Sequence, residues 1–269
     1  QAIDTVRFVE SIENPDKKQA YFVDLLRLTL ESTKDRYGEY KIEGVNIEMA
    51  QARSSTMLAN NQYIDIVWRM TSTEMEEDLL PIYIPLLKGM MGYRIFIIRK
   101  GEQTLFDDGL SLNNLKSMKV GQGINWPDSK ILRHNGFNLT EGYSENLLKM
   151  LARARFDYFP RALHEPWLEI SNNDSFVVEE NILLQYYSPI YFFVNKNNQR
   201  LAKRINEGLL LIINDGRFEQ YFNTHPVTAN IVERANLSQR KVFVLENPLI
   251  STKTRLLTKE QRFWLKILK

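Results

Sequence analysis

Groups able to make or break bonds are scarce in this chain. Its 269 residues include no cysteine and 3 histidines. Thiolate chemistry is therefore impossible, and His134, His164 and His225 are scattered without metal-ligand spacing. No G-x-S-x-G elbow, Walker loop or G-x-G-x-x-G turn occurs. The sequence thus calls for no catalytic residue, no metal and no cofactor, and offers instead groups suited to holding a polar molecule.

The stretch Gly121-Gln122-Gly123-Ile124-Asn125-Trp126-Pro127-Asp128 reads as a strand end opening into a helix, with Asn125 as its cap. Free backbone N–H groups and the positive helix end would face an anion there; the alternative is a turn that uses glycine for geometry alone. Trp68 and Arg69 end a mostly apolar strand, where a guanidinium can grip a carboxylate or phosphate with paired bonds beside a flat indole wall. Equally, Trp68 can be core and Arg69 solvated surface. Arg94 lies among apolar strand neighbours and needs a partner, either a ligand or a buried acid. Arg161 follows another strand, with Glu165 four residues on as its competing partner. Glu10, at the end of the first strand, and Tyr21, near the first helix, complete the candidates. The expected ligand-contacting set is Trp68, Arg69, Arg94, Gly123, Asn125, Trp126, Arg161 and Glu10.

The elements that must position these groups follow from periodicity. Thr5 to Glu10 alternates like a strand; Asn14-Pro15 predicts a capped helix carrying Phe22, Leu25, Leu26 and Leu30 on one face. Tyr40 to Val45 predicts a strand, Glu48 to Asn60 a helix, and Tyr63 to Trp68 a buried strand, with Arg69 to Asp78 irregular. Gly92 to Arg99 is a long strand. A second series follows: strand at Lys119 to Gly121, helix Pro127 to Arg133, strand Phe137 to Thr140, helix Tyr143 to Arg155 and strand Arg155 to Phe159. Ser188 to Val194 is another apolar strand, Asn198 to Ile213 an amphipathic helix ended by Asp215-Gly216, and Arg217 to Asn223 a further helix. Alternating strands and helices argue for an α/β sheet.

Composition bounds the function. Against 35 basic residues stand 33 acidic ones, too near balance for a protein that binds by neutralising many phosphates, so nucleic acid is excluded as a partner. No run of 18 apolar residues could span a bilayer. The basic tail from Ser251, with Leu256, Leu257, Phe263, Trp264, Leu265, Ile267 and Leu268, reads as a segment covering a core. Gln1 in place of Met leads to the expectation that an export signal has been removed.

Three segments in order carry a resemblance: GYRIFIIRKGEQ, SLNNLKSMKVGQGINWPDSKIL and SPIYFFVNKNNQRLAKRINEGLLLIINDGRFEQYF. Together they resemble the extracytoplasmic solute-binding proteins of the amino-acid-binding type (bacterial family 3). The resemblance implies a bilobed, type II periplasmic-binding-protein-like α/β fold with two crossing strands. Lobe one would hold residues 1–98 and 190–269, lobe two residues 99–189, and a small polar, carboxylate-bearing solute would bind in the cleft between them. It further implies a monomer of the periplasm that passes its amino acid or organic acid to an ABC-type permease. A ligand-sensing component of a signalling system is the alternative, and a dehydratase-like enzyme on the same scaffold a more distant one. One departure stands out. In that family an arginine in a motif like "sxt-eR" clamps the ligand carboxylate, whereas Thr71 to Asp78 carries Met75 and Glu76 and no arginine. The clamp is missing or replaced.

Overall fold

The computed structural model describes residues 3–13, 15–48 and 51–266. The chain forms two compact units: Gln1–Lys88, Pro189–Ala229 and Ser251–Phe263 make the first, and Gly89–Ser188, Asn230–Ile250 and Trp264–Lys269 the second. It thus crosses between units at five points rather than two, and residues 89–98, 230–250 and 264–266 join the second unit instead of the first. The antiparallel pairing of Tyr93–Arg99 with Ile182–Gln185 and Phe159–Ala162 draws in residues 89–98, and two further contacts draw in the other segments. Strand Lys241–Val244 adds in parallel to Ile182–Gln185, and Trp264 packs edge-on against Tyr187, with ring centroids 5.0 Å apart.

In the first unit, strand Asp4–Glu10 pairs in parallel with Tyr40–Asn46, and Ile190–Val194 runs antiparallel to both Val67–Met70 and Leu80–Ile82. Helix Gln19–Glu31 buries Phe22, Leu25, Leu26 and Leu30, the face its spacing dictates. It starts four residues after Pro15, with Lys18 at the cap position and no side-chain capping bond; Asn14 lies outside the described residues. The expected helix over Glu48 to Asn60 is Gln51–Ala59, residues 49 and 50 being outside the description. The stretch read as irregular holds helix Thr73–Asp78, capped by Ser72, whose hydroxyl accepts from the Met75 N–H. Helix Gln199–Asn214 ends as expected, at Gly216 with φ +86°. The tail does cover a core: Phe263 and Trp264 are buried, and Thr254 bonds Tyr191 at 3.0 Å. Ile267 and Leu268 lie outside the described residues.

The second unit centres on strand Tyr93–Arg99, flanked antiparallel by Ile182–Gln185, Phe159–Ala162 and Phe176–Val178. Lys119–Gly123 and Asn138–Gly142 form a separate parallel pair. The α/β class holds, but the sheets are mixed, because most strands return antiparallel instead of crossing over helices. Two expected elements are shorter or shifted. The helix over Tyr143 to Arg155 is regular only at Leu147–Ala152, and the strand at Arg155 to Phe159 begins at Phe159. Phe96, Phe106, Val120, Ile131 and Tyr158 form the main core here. Among the described residues no helix is long and apolar enough to cross a membrane.

Tyr63 marks local strain. The predicted strand Tyr63 to Trp68 begins only at Val67, and Tyr63 itself has φ +59° with 64% of its surface exposed. A Cβ-bearing aromatic residue pays for this region without recovering packing, whereas asparagine tolerates it. Tyr63→Asn is expected to add about 0.5–1 kcal/mol of stability, read as a melting midpoint raised by roughly 1–4 °C. A midpoint at or below that of the parent chain refutes it.

Candidate functional site

Sequence candidates fall at strand ends in both units. In the first, Trp68 is packed rather than open: its ring stacks on Phe22 (5.5 Å, 15°), lies 5.7 Å from Phe8 and meets Phe192 edge-on at 6.3 Å. Trp68 is half-buried, with these three rings of its own unit as neighbours. Arg69, next to it, donates to the Trp68 carbonyl (2.7 Å) and to the hydroxyl of buried Ser54 (2.5 Å). Burial pulls its pKa down to about 10, so it stays protonated at neutral pH, with carbonyl and hydroxyl among its bonding partners. Glu10 folds across Gly44 on the neighbouring strand. Tyr21 is fully buried and its hydroxyl donates to the Leu86 carbonyl at 2.7 Å, a core role.

The stretch in which the family resemblance expects an arginine is built around the opposite charge. Glu76 accepts from Thr71 (2.6 Å), Thr254 (2.8 Å) and Tyr83 (2.9 Å). This carboxylate ties helix Thr73–Asp78 to strand Leu80–Ile82 and to the C-terminal helix Thr252–Leu257.

In the second unit the Gly121–Asp128 turn departs from the expected cradle. Trp126, not Asn125, is the cap of helix Pro127–His134, and Asn125 takes a left-handed φ of +63° in an exposed turn. Gly123 is glycine because the Trp126 ring folds back over it: a Cβ there would lie 2.2 Å from the indole. The helix N-terminus is also complemented from within, since buried Asp128 sits in its first turn. What remains outward is Ile124, Asn125, Pro127 and part of Trp126.

Behind this turn lies a cluster of buried charge. Arg94 is 1% exposed; its Nη2 is 2.7 Å from Asp128 Oδ1, in ion-pair contact without hydrogen-bond alignment, and its Nη1 is 3.9 Å from Glu165. Tyr186 donates its hydroxyl to Asp128 and presents its ring 5.8 Å from the Arg94 guanidinium. Burial alone would lower the Arg94 pKa, but the attraction of Asp128, Tyr186 and Glu165 reverses this and leaves it raised. Arg161 holds Glu169 with bonds of 2.5 to 3.0 Å, lies 3.3 Å from Glu165, and stacks 5.0 Å over Trp126 and 4.9 Å over Phe159. Its pairing with Glu165 is as the sequence suggests, but from a strand and turn and not along a helix.

Arg94 and Arg161 are thus matched by acids of their own unit, Arg94 against Asp128 in the helix that follows the turn and Arg161 over the face of Trp126 within it. Asp128, Tyr186 and Glu169 were not legible as partners, because each is distant in sequence or lies on an element whose direction the sequence leaves open. Among the described residues no three His, Asp or Glu side chains come together as a metal site.

No protein-family model matches the chain, and no curated protein sequence does. Solved structures do. A probable amino-acid ABC transporter extracellular-binding protein of Bacillus subtilis, ytmK, superposes with a TM-score of 0.61 at 18% identity, over 82% of this chain and 97% of that one. An arginine-specific periplasmic binding protein of Salmonella typhimurium gives 0.56 at 16%, over 81% and 97%. A histidine kinase sensor domain similar to periplasmic binding proteins gives 0.56 at 16%, over 82% and 94%. The chain has the type II periplasmic-binding-protein fold, an α/β architecture of two units. Likeness at this identity establishes the fold, and function must come from the site.

Proposed function

We propose that this chain is an extracytoplasmic solute-binding protein that captures a small polar, carboxylate-bearing solute and passes it to an ABC-type permease. The observation that carries this reading is the fold it shares with the two transporter-type binding proteins over 97% of each of their lengths. The strand-end groups supply the chemistry: Arg69, desolvated and bonded to a carbonyl and a hydroxyl, suits a carboxylate. Glu10, in the same unit, suits a cationic group. Binding, not turnover, is the activity; conversion of a bound solute would overturn the reading.

Thermal-shift screening of amino acids, organic acids and short peptides tests it, since a ligand at 100 times its Kd stabilises by about 2.7 kcal/mol. Absence of a shift across such a library counts against it. With a hit in hand, Arg69→Ala should weaken affinity by about 100-fold, more than its loss of unliganded stability accounts for, since Arg69 also bonds the Trp68 carbonyl and the Ser54 hydroxyl. Arg161→Ala should do the reverse, lowering unliganded stability first. The sensor-domain neighbour favours a second reading, in which the solute is reported to a signalling partner. Co-purification with a receptor instead of a permease would select it.

A further inference from the structure

The second unit holds a cavity that none of the proposed solute contacts line. Its volume is about 260 Å³, and its walls are Trp167, Val178, Glu180, Arg234, Asn236 and Arg240. Three strands and two short helices bring these residues together. Trp167 lies in helix Pro166–Glu169, Val178 ends strand Phe176–Val178, and Glu180 precedes strand Ile182–Gln185. Arg234 ends helix Ile231–Arg234, and Arg240 immediately precedes strand Lys241–Val244.

The two guanidiniums differ in kind. Arg240 has a side chain only 3% exposed. Its Nε donates to the Ala235 carbonyl (2.6 Å), and its Nη1 to the Ile182 carbonyl (3.0 Å) and to Glu179 (3.4 Å). Its Nη2 makes no hydrogen bond among the described residues. Burial lowers the Arg240 pKa and raises that of Glu179, so the desolvation of each outweighs their mutual attraction. Arg234 is exposed, stacks 4.7 Å over the Trp167 indole and makes no ion pair among the described residues. One fixed and one adjustable guanidinium therefore share a hollow with an aromatic wall and the apolar side of Val178.

Two guanidiniums match the planar, two-oxygen geometry of a carboxylate. Glu179 and Glu180, close to the same hollow, penalise a dianion more than a monoanion. The volume falls just short of the roughly 300–1,000 Å³ of drug-sized sites, which suits a single ring. We propose that this cavity is a second binding site, taking a small aromatic monocarboxylate whose carboxylate meets Arg234 and Arg240 while its ring lies against Trp167 and Val178. The site is independent of the solute-binding reading given above.

Sodium benzoate titrated into the full chain at low salt, followed by calorimetry, tests the proposal. Saturable binding at one site is expected, weakened at least about tenfold by Arg234→Gln and tightened by roughly threefold by Glu180→Gln, which removes a like charge. Both side chains are exposed, so neither variant threatens the fold, and opposite responses cannot come from a general loosening. Acetate, lacking the ring, should bind more weakly than benzoate. Absence of saturable benzoate binding, variants with unchanged affinity, or inorganic phosphate binding more tightly than benzoate would each overturn it.

Discussion

Asp128→Ala should lower stability by about 3–5 kcal/mol, because it strands a guanidinium in the interior of the second unit. Arg94 is 1% exposed, and Asp128 is its nearest carboxylate; Glu165, at 3.9 Å, is also engaged by the Ala162 N–H and by Arg161. The Tyr186 hydroxyl would lose its acceptor in the same step. Attraction across 2.7 Å in a dry interior does not imply that the pair contributes that much in total, since both ions were desolvated to form it. The asymmetry is therefore the informative part. Arg94→Met combined with Asp128→Ala removes both charges and should recover at least half of the loss. Urea denaturation of the two variants and the parent decides the matter, and an Asp128→Ala chain within 1 kcal/mol of the parent would show that Glu165 and Tyr186 suffice to hold Arg94. Because Asp128 opens the helix behind Trp126, the single variant should also loosen the Gly123–Trp126 turn.

How far the sequence foretold this arrangement depended on whether a signal was local. Phe22, Leu25, Leu26 and Leu30 sit on one face of their helix because helical spacing is written in a single stretch of chain. Tyr93–Arg99, apolar apart from Arg94 and the terminal Arg99, and Ile190–Val194 announced themselves by their apolar runs, as strands buried on both faces do. Helix Thr73–Asp78 had a readable start at Ser72 with acids at Glu74 and Glu76, yet its short polar sequence masked it. Strand Lys241–Val244 is an instance of the opposite kind. Nothing in KVFV says that it pairs with Ile182–Gln185, some sixty residues earlier, and that pairing draws residues 230–250 into the second unit. The candidate site followed the same rule. Arg94, Arg161 and Trp126 were visible as residue types out of keeping with their surroundings, while Asp128, Glu169 and Tyr186, which hold them, depend on tertiary approach. A lone charge in an apolar strand reveals that a partner exists without revealing which one.

The first unit carries a comparable test in which one acid faces two arginines and burial separates them. Arg204, on helix Gln199–Asn214, is fully buried and holds Asp4 at 2.7 Å, the Gly38 and Leu30 carbonyls at 2.8 and 3.2 Å, and the Thr33 hydroxyl at 3.2 Å. Its guanidinium lies 5.7 Å from the rings of both Tyr37 and Tyr40. One side chain thereby joins the first strand, the first helix and the turn before Tyr40. Arg200, one helical turn earlier, reaches the same Asp4 at 3.3 Å, but with 57% of its side chain in water. Arg204→Met keeps much of the apolar volume and still leaves two carbonyls and a hydroxyl without their donor, at a cost of about 3 kcal/mol or more. Arg200→Met should cost less than about 1 kcal/mol, since an exposed pair gains little over hydration. Arg200 also donates to the Tyr37 carbonyl at 3.0 Å, so equal losses in the two variants, measured by urea denaturation, would mean that burial adds nothing to the worth of the Arg204 bonds.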